Sequence, residues 1–198
     1  FRDIKLMPTI KARPEPWILG SSGNGVRIAA ALGLGYSFAS FINPNGAAAA
    51  LQHYRKHFKP TRYGSQTPQV MLSICVFAAE TDAEAHRMTW PTRVMFAGLH
   101  RSRGPGFIPT IEEAERILPP QLRDAPSQIK RDNRPQQLAG STKTLRGQLT
   151  QLIEETGATE VMLQSISSDI EGRRHTNEVI AEILGIRPET RQPSTMAS

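Results

Sequence analysis

An α/β fold built on a parallel sheet is predicted by three features of the 198-residue sequence. Short apolar runs alternate four times with segments of helical period, the longest run is apolar at all but Gln69 and Ser73, and no two-residue hairpin connects one run directly to the next. Strands that alternate with helices pack as right-handed βαβ units, and a run apolar at nearly every position is a strand covered on both faces. Half of a barrel is one way to draw four such units.

The elements follow in order. Residues 17 to 22 are apolar between prolines at 14 and 16 and glycines at 20 and 23, which predicts a buried strand. A helix starts near Gly25 and stops at Gly33 or Gly35, and Tyr36 to Phe41 form a second strand. Asn43 is then a good N-cap with Pro44 at the first helical position, and Ala47, Ala50, Leu51, Tyr54 and Phe58 recur at helical spacing. Pro60 to Pro68 is a polar connection to the third strand, Gln69 to Ala78.

Thr81-Asp82-Ala83-Glu84 is a capping box that opens a helix to Pro91, resuming through Arg93 to Leu99 before Gly104-Pro105-Gly106 breaks it. Thr110-Ile111-Glu112-Glu113 starts another, which stops before Pro119-Pro120. Residues 119 to 137 are rich in Pro, Gln, Arg and Asp and are read as a polar loop, either a lid or a disordered excursion. Gly140-Ser141-Thr142 precedes a helix with Leu145, Leu149, Leu152 and Ile153 on one face and Gly157 as its stop. Residues 159 to 166 are the fourth strand, Val179, Ile180, Ile183 and Leu184 mark a last helix ending at Gly185, and 186 to 198 read as a disordered tail.

Composition bounds the function. A hydrophobic fraction of 38% and a mean hydropathy of −0.37 describe a soluble domain, and no apolar run approaches the ~20 residues of a membrane helix. Cys75 is the only cysteine, which excludes an internal disulfide and predicts a reducing, cytoplasmic setting. The net charge of +6 is scattered, with His100-Arg101-Ser102-Arg103 and Arg173-Arg174 as the local clusters and no aromatic interleaving, so no nucleic-acid partner is predicted. The chain begins at Phe1 without methionine or a signal sequence and is short of the ~250 residues of a complete (β/α)8 barrel; a fragment is expected.

The segment most informative about function is Gly20-Ser21-Ser22-Gly23-Asn24-Gly25, a small-residue turn between a strand and a helix. Small residues let a ligand approach the backbone, and the first N–H groups of the helix carry the positive end of its dipole. The spacing fits neither the Walker pattern nor GxGxxG. From the residues alone, a phosphate-binding turn and a glycine-rich helix start that binds nothing are both open.

Other candidates carry bland explanations. His53 and His57 lie four apart but lack a third ligand, so a solvated helix face is expected. Cys75 sits mid-strand and reads as inert core. His86 and Trp90 are expected to pack on the outside of the sheet. Gly140-Ser141-Thr142 is either a second anion site or an N-cap, and Glu80 and Asp82 either line a catalytic rim or serve the capping box. Arg101 and Arg103 either face a phosphate or a subunit partner, or lie in a solvated loop.

Five segments in order give these elements a family likeness: Trp-Ile-Leu-Gly-Ser-Ser-Gly at 17 to 23, Ile-Ala-Ala-Ala-Leu-Gly-Leu at 28 to 34, Tyr-Ser-Phe-Ala-Ser at 36 to 40, Ala-Glu-Thr-Asp-Ala-Glu-Ala at 79 to 85, and Gly-Ser-Thr-Lys-Thr-Leu at 140 to 145. Over residues 1 to 185 the chain resembles the C-terminal half of the luciferase-like, flavin-dependent monooxygenases, the group that contains bacterial luciferase. The resemblance implies a partial (β/α)8 TIM-barrel domain, its C-terminal four or so βα units, with 17 to 22 as the fifth barrel strand. It implies that Gly20, Ser21, Ser22, Gly23 and Gly25 hold the phosphate of FMN, with Gly25 standing where relatives often have Ser or Thr. The implied activity is a monooxygenase that oxidises a small organic substrate such as an aldehyde with O2 and reduced FMN supplied by a flavin reductase, the chain working as a homo-oligomer. A deazaflavin cofactor and a non-catalytic remnant are the alternatives, and no catalytic residue carries over, because the family's catalytic groups lie mostly on the earlier strands.

Overall fold

The computed structural model describes residues 14–62, 64–100, 108–130 and 133–186. Five parallel strands and eight helices alternate along the described chain: β1 Trp17–Gly20, α1 Gly23–Leu32, β2 Gly35–Ala39, α2 Ala47–His57, β3 Val70–Ala78, α3 Asp82–Met88, α4 Trp90–His100, α5 Ile111–Ile117, α6 Pro120–Arg123, β4 Gln137–Gly140, α7 Thr142–Thr156, β5 Glu160–Gln164 and α8 Ile170–Ile183.

The nine-residue β3 organises the sheet. Tyr36 to Ala39 of β2 pair with Val70 to Ser73, and Gln137 to Gly140 of β4 pair with Cys75 to Ala78. Because β5 pairs with Met71 to Cys75 from the other side, β2 and β4 must share one edge of β3. Among the described residues β1 pairs with β2 alone and β5 with β3 alone, so the sheet is open.

The strand β4 corrects the expectation of four strands. It begins at the last position of the stretch read as a polar loop and runs past it to Gly140, and Gln137 resembles loop sequence although it is only 5% exposed. The pairing with β3 supplies what a four-residue run cannot signal locally. The stretch also contains α6. Strands β1, β2 and β5 end earlier than the sequence suggests, because the chain bends once parallel pairing stops. The helix expected to stop at Pro91 breaks instead at Thr89, and Pro91 sits in the first turn of α4, where its missing N–H costs nothing. Arg101, Arg103, the breaker at 104 to 106 and the tail beyond 186 lie outside the described residues.

Period-two alternation assigns the faces. Tyr36, Phe38, Val70, Leu72, Ile74 and Val76 enter the main core with Val26 and Ala29 of α1, Leu51 and Tyr54 of α2, Leu145 and Leu149 of α7, and Val179 and Ile180 of α8. On the other face Cys75, Phe77 and Ala139 pack against Ala85 and Met88 of α3. That face also holds a buried hydroxyl pair, Ser37 and Ser73, at 2.7 Å. Leu19 and Met162, at 57% and 47% exposure, lie on the two open outer strands.

The helix ends follow their caps. Gly33 closes α1 in the left-handed conformation at φ 67°, with the N–H of the cap returning to Ala29. Both capping boxes, Thr81 with Glu84 and Thr110 with Glu113, are formed. Arg55 of α2 donates to the carbonyl of Thr156 at 2.8 Å, placing a cation on the negative end of α7.

His86 and Trp90 do not pack on the outside of the sheet as expected; they clasp the segment after α6. The Nε2–H of His86 donates to the Arg123 carbonyl at 2.8 Å, so Nδ1 of the neutral ring accepts from the Ser127 hydroxyl at 2.8 Å. Trp90 Nε1 donates to the same Arg123 carbonyl at 3.2 Å. Arg93, 6% exposed, donates to the carbonyls of Leu122 at 2.7 Å and Arg123 at 3.0 Å; burial pushes its pKa down to about 10.

Burial, together with the positive charge of Arg93, lowers the pKa of His86, with the Arg123 carbonyl and Asp124 opposing. The folded chain therefore binds this proton less well than the unfolded one. The stability His86 contributes is complete above the unfolded value of about 6.5 and is lost as pH falls from there through the depressed folded value. Thermal melts between about pH 7.5 and 5.5 are expected to show a falling Tm, with a shallower slope in His86→Gln.

Candidate functional site

The parallel sheet brings every strand's C-terminal end to one rim, and the Gly20–Gly25 turn stands there, where β1 hands the chain to α1. The first helical residue is Gly23, two positions earlier than the sequence suggested. Ser22 is the N-cap in extended backbone, φ −134° and ψ 167°, and its side chain makes no capping hydrogen bond. No acidic residue occupies the first turn. The N–H groups that a helix cannot satisfy internally thus meet neither the serine hydroxyl nor a carboxylate of their own helix.

The glycines of the turn stand in different surroundings. A Cβ on Gly23 would meet nothing within 4 Å, so its position is open space in front of the helix. A Cβ on Gly20 would stand 3.2 Å from Tyr36 Oη and 3.8 Å from the Cα of Gly25, so the two ends of the turn close over the Tyr36 ring. Ser22 and Gly23 are exposed, and Gly20, Ser21 and Gly25 are half-buried.

A second loop braces the turn. Asn43, expected to cap the next helix, makes no capping bond; its Nδ2 donates to the Ser21 carbonyl at 3.0 Å. This ties the loop after β2 to the turn after β1. Arg27 donates to Asn24 Oδ1 at 2.7 Å, and both flank a groove of about 250 Å3 that Gly23, Ala50 and His53 also line. A wider concavity of about 630 Å3 lies along the outer face of α7, lined by Lys143, Arg146 and Glu154 among others. It is open surface between long polar side chains, and it includes Thr142 of the 140-to-142 turn among its lining residues but no residue of the Gly20–Gly25 turn.

The Gly140-Ser141-Thr142 turn provides an internal comparison. It too leads from a strand into a helix N-terminus with an uncapping serine, Ser141. Here a carboxylate is in place: Ser141 N–H donates to Asp82 Oδ1 at 2.7 Å, and Thr144 Oγ1 donates to Asp82 Oδ2 at 3.0 Å. The Ser141 N–H first, then the hydroxyls, hold the Asp82 carboxyl below the usual carboxylate range, against a smaller opposing effect of burial. The anion site expected as one alternative at 140 to 142 is therefore filled by the chain itself. Asp82 lies 59 positions away, and no local sequence signal could have found it.

The remaining candidates have structural roles. His53 and His57 stack at 4.1 Å along the α2 surface, and His57 Nδ1 lies 2.9 Å from the His53 carbonyl. Among the described residues no three metal-ligating side chains converge. Cys75 is 1% exposed, and burial pushes its thiol up to about 12. Glu84 completes the capping box on Thr81, which leaves Asp82 to α7.

A family model described as luciferase-like monooxygenase matches residues 2–160. The chain belongs to this family. The protein YceB of Bacillus subtilis (strain 168) is 32% identical over 192 residues, covering 93% of this chain and 54% of YceB. The crystal structure of apo-MsnO8 superposes with a TM-score of 0.76 at 30% identity, over 94% of this chain and 56% of that one. The oxygenating constituent of 3,6-diketocamphane monooxygenase from Pseudomonas putida, solved with FMN, shares the fold at a TM-score of 0.51 and 20% identity, over 85% of this chain and 47% of that one. The chain spans about half the length of the curated relatives it matches. Its open parallel sheet is thus part of a luciferase-like TIM barrel, as the resemblance implied.

Proposed function

We propose that this chain is the cofactor-holding half of a luciferase-like flavin monooxygenase, and that the Gly20–Gly25 turn binds the phosphate of FMN. One observation carries the reading. Of two helix N-termini that follow glycine-serine turns on the rim, α7 is filled by Asp82 and α1 is open, uncapped and free of acidic residues in its first turn. An anion completes α1 as Asp82 completes α7.

The residues fit that group. Ser21, Ser22 and Gly23 follow one another into the N-terminus of α1, where the Ser22 side chain leaves the first N–H groups uncapped and a Cβ on Gly23 would meet nothing within 4 Å. Asn43 fixes the Ser21 peptide, so less order is lost on binding. Reduced flavin, when bound, would supply the two electrons that activate O2, and O2 is the oxidant of a small organic substrate such as an aldehyde. The contribution of this chain is to anchor the flavin by its phosphate, orient it across the rim, and cover one side against water. A flavin reductase supplies the reduced form and the chain works as a homo-oligomer. The turn reads a phosphate rather than a ring, so a phosphorylated deazaflavin fits it equally.

The test is a fluorescence titration of the full chain with FMN beside a Ser21→Ala/Ser22→Ala variant. Hydrogen bonds to a charged group contribute about 1.5–3 kcal/mol each, so the double variant, which loses two, is expected to bind at least about 150-fold more weakly. Equal affinities would remove the phosphate from this turn.

A further inference from the structure

Tyr36 is fully buried between β2 and α1, its ring edge-on to Phe38 at 6.4 Å and tilted against Tyr54 at 5.8 Å. The two tyrosines differ in one respect. Tyr54 donates to the Leu34 carbonyl at 2.7 Å and accepts from the Gln69 N–H at 3.2 Å, whereas the Tyr36 hydroxyl has no hydrogen-bond partner among the described residues. A buried polar group left unpaired is penalised, and phenylalanine would fill the same space without that penalty. Packing alone therefore does not explain a tyrosine at this position.

Its location supplies an explanation. The hydroxyl lies 3.2 Å from the point where a Cβ on Gly20 would stand, and the ring edge lies 3.5 Å from the equivalent point on Gly25. The unpaired donor therefore sits directly beneath the turn whose outer side is the open N-terminus of α1. A side chain at residue 20 would crowd the hydroxyl from above, and glycine leaves the way between it and the turn clear. Gly25 also lacks the hydroxyl that a serine or threonine would place here, which leaves the turn one donor short.

We propose that the Tyr36 hydroxyl is the inner hydrogen-bond donor to the phosphate held at Gly20–Gly25, and that Tyr36 makes the site selective for a phosphorylated flavin over its dephosphorylated form. This rests on the phosphate reading of the turn given above. The glycines let the turn settle onto the hydroxyl as the anion enters. Burial raises the pKa of the phenol, so it keeps its proton and acts as a donor at neutral pH.

The experiment titrates the full chain and Tyr36→Phe with FMN and, separately, with riboflavin, which lacks the phosphate, and melts both proteins without flavin. Tyr36→Phe is expected to bind FMN about tenfold more weakly, to bind riboflavin as the parent does, and to melt no lower than the parent. Wild-type FMN affinity in the variant would overturn the inference, as would equal losses for FMN and riboflavin or a lowered Tm, each of which marks a packing role. If the parent itself bound FMN no better than riboflavin, the phosphate reading would fail and this inference with it. A parent that prefers FMN beside a variant that prefers it equally would overturn the role of Tyr36 alone.

Discussion

A Gly23→Asp variant is expected to fold at least as stably as the parent and to lose FMN binding by about three orders of magnitude. The stability follows from the open space at the position of the new Cβ and from the preference of helix N-termini for acidic residues, about 0.3–1 kcal/mol. The binding loss follows from the same carboxylate standing where the phosphate would. Two like charges 4 Å apart repel by about 4 kcal/mol at an effective dielectric of 20, which is about a thousandfold in affinity. Asp82 already performs this substitution in trans at α7, where its carboxylate takes the helix N-terminus. Fluorescence titration and a thermal melt on one preparation check both halves; retained FMN affinity in the variant would place the phosphate elsewhere.

The largest stability effect is expected at Phe77. It is fully buried on β3 and faces away from the main core, packed with Cys75, Ala139 and the Ala85 and Met88 side chains of α3. Phe77→Ala is expected to cost about 3–5 kcal/mol in urea denaturation, because Cys75 and Ala139 are held by strand pairing and Ala85 by the capped helix α3, so they cannot collapse into the space left. A loss below about 1 kcal/mol would mean that α3 does not cover this face.

The first half of the chain was legible because its signals are local. Apolar runs bounded by Pro16 and Gly20 or by Gly33, and two capping boxes, each specify their element within a few residues. The strand β4 was not, since Gln137 to Gly140 become a strand only against Cys75 to Ala78. Sequence likewise could not assign α3 to the face opposite α1, α2, α7 and α8, because period two marks both faces of β3 as apolar. At the site, Ser21 and Ser22 stood out by their neighbours in sequence. Tyr36 read as an ordinary strand residue and Asn43 as a cap; their positions under and beside the turn come from β1–β2 pairing and from a contact 22 residues apart.

The place of β3 at the centre of the sheet also bears on how the chain is made. Strands β1, β2 and β3 can pair once Ala78 has left the ribosome, but the partner for the other edge of β3 arrives only with β5. Ser73 and Met162, in contact across that edge, are 89 positions apart. At about 5–20 residues per second, synthesis leaves the edge bare for about 4–18 seconds. During that interval a nascent chain presents an apolar, unpaired strand to its neighbours, and the time spent in translation, rather than the stability of the finished sheet, governs the risk of edge-to-edge association.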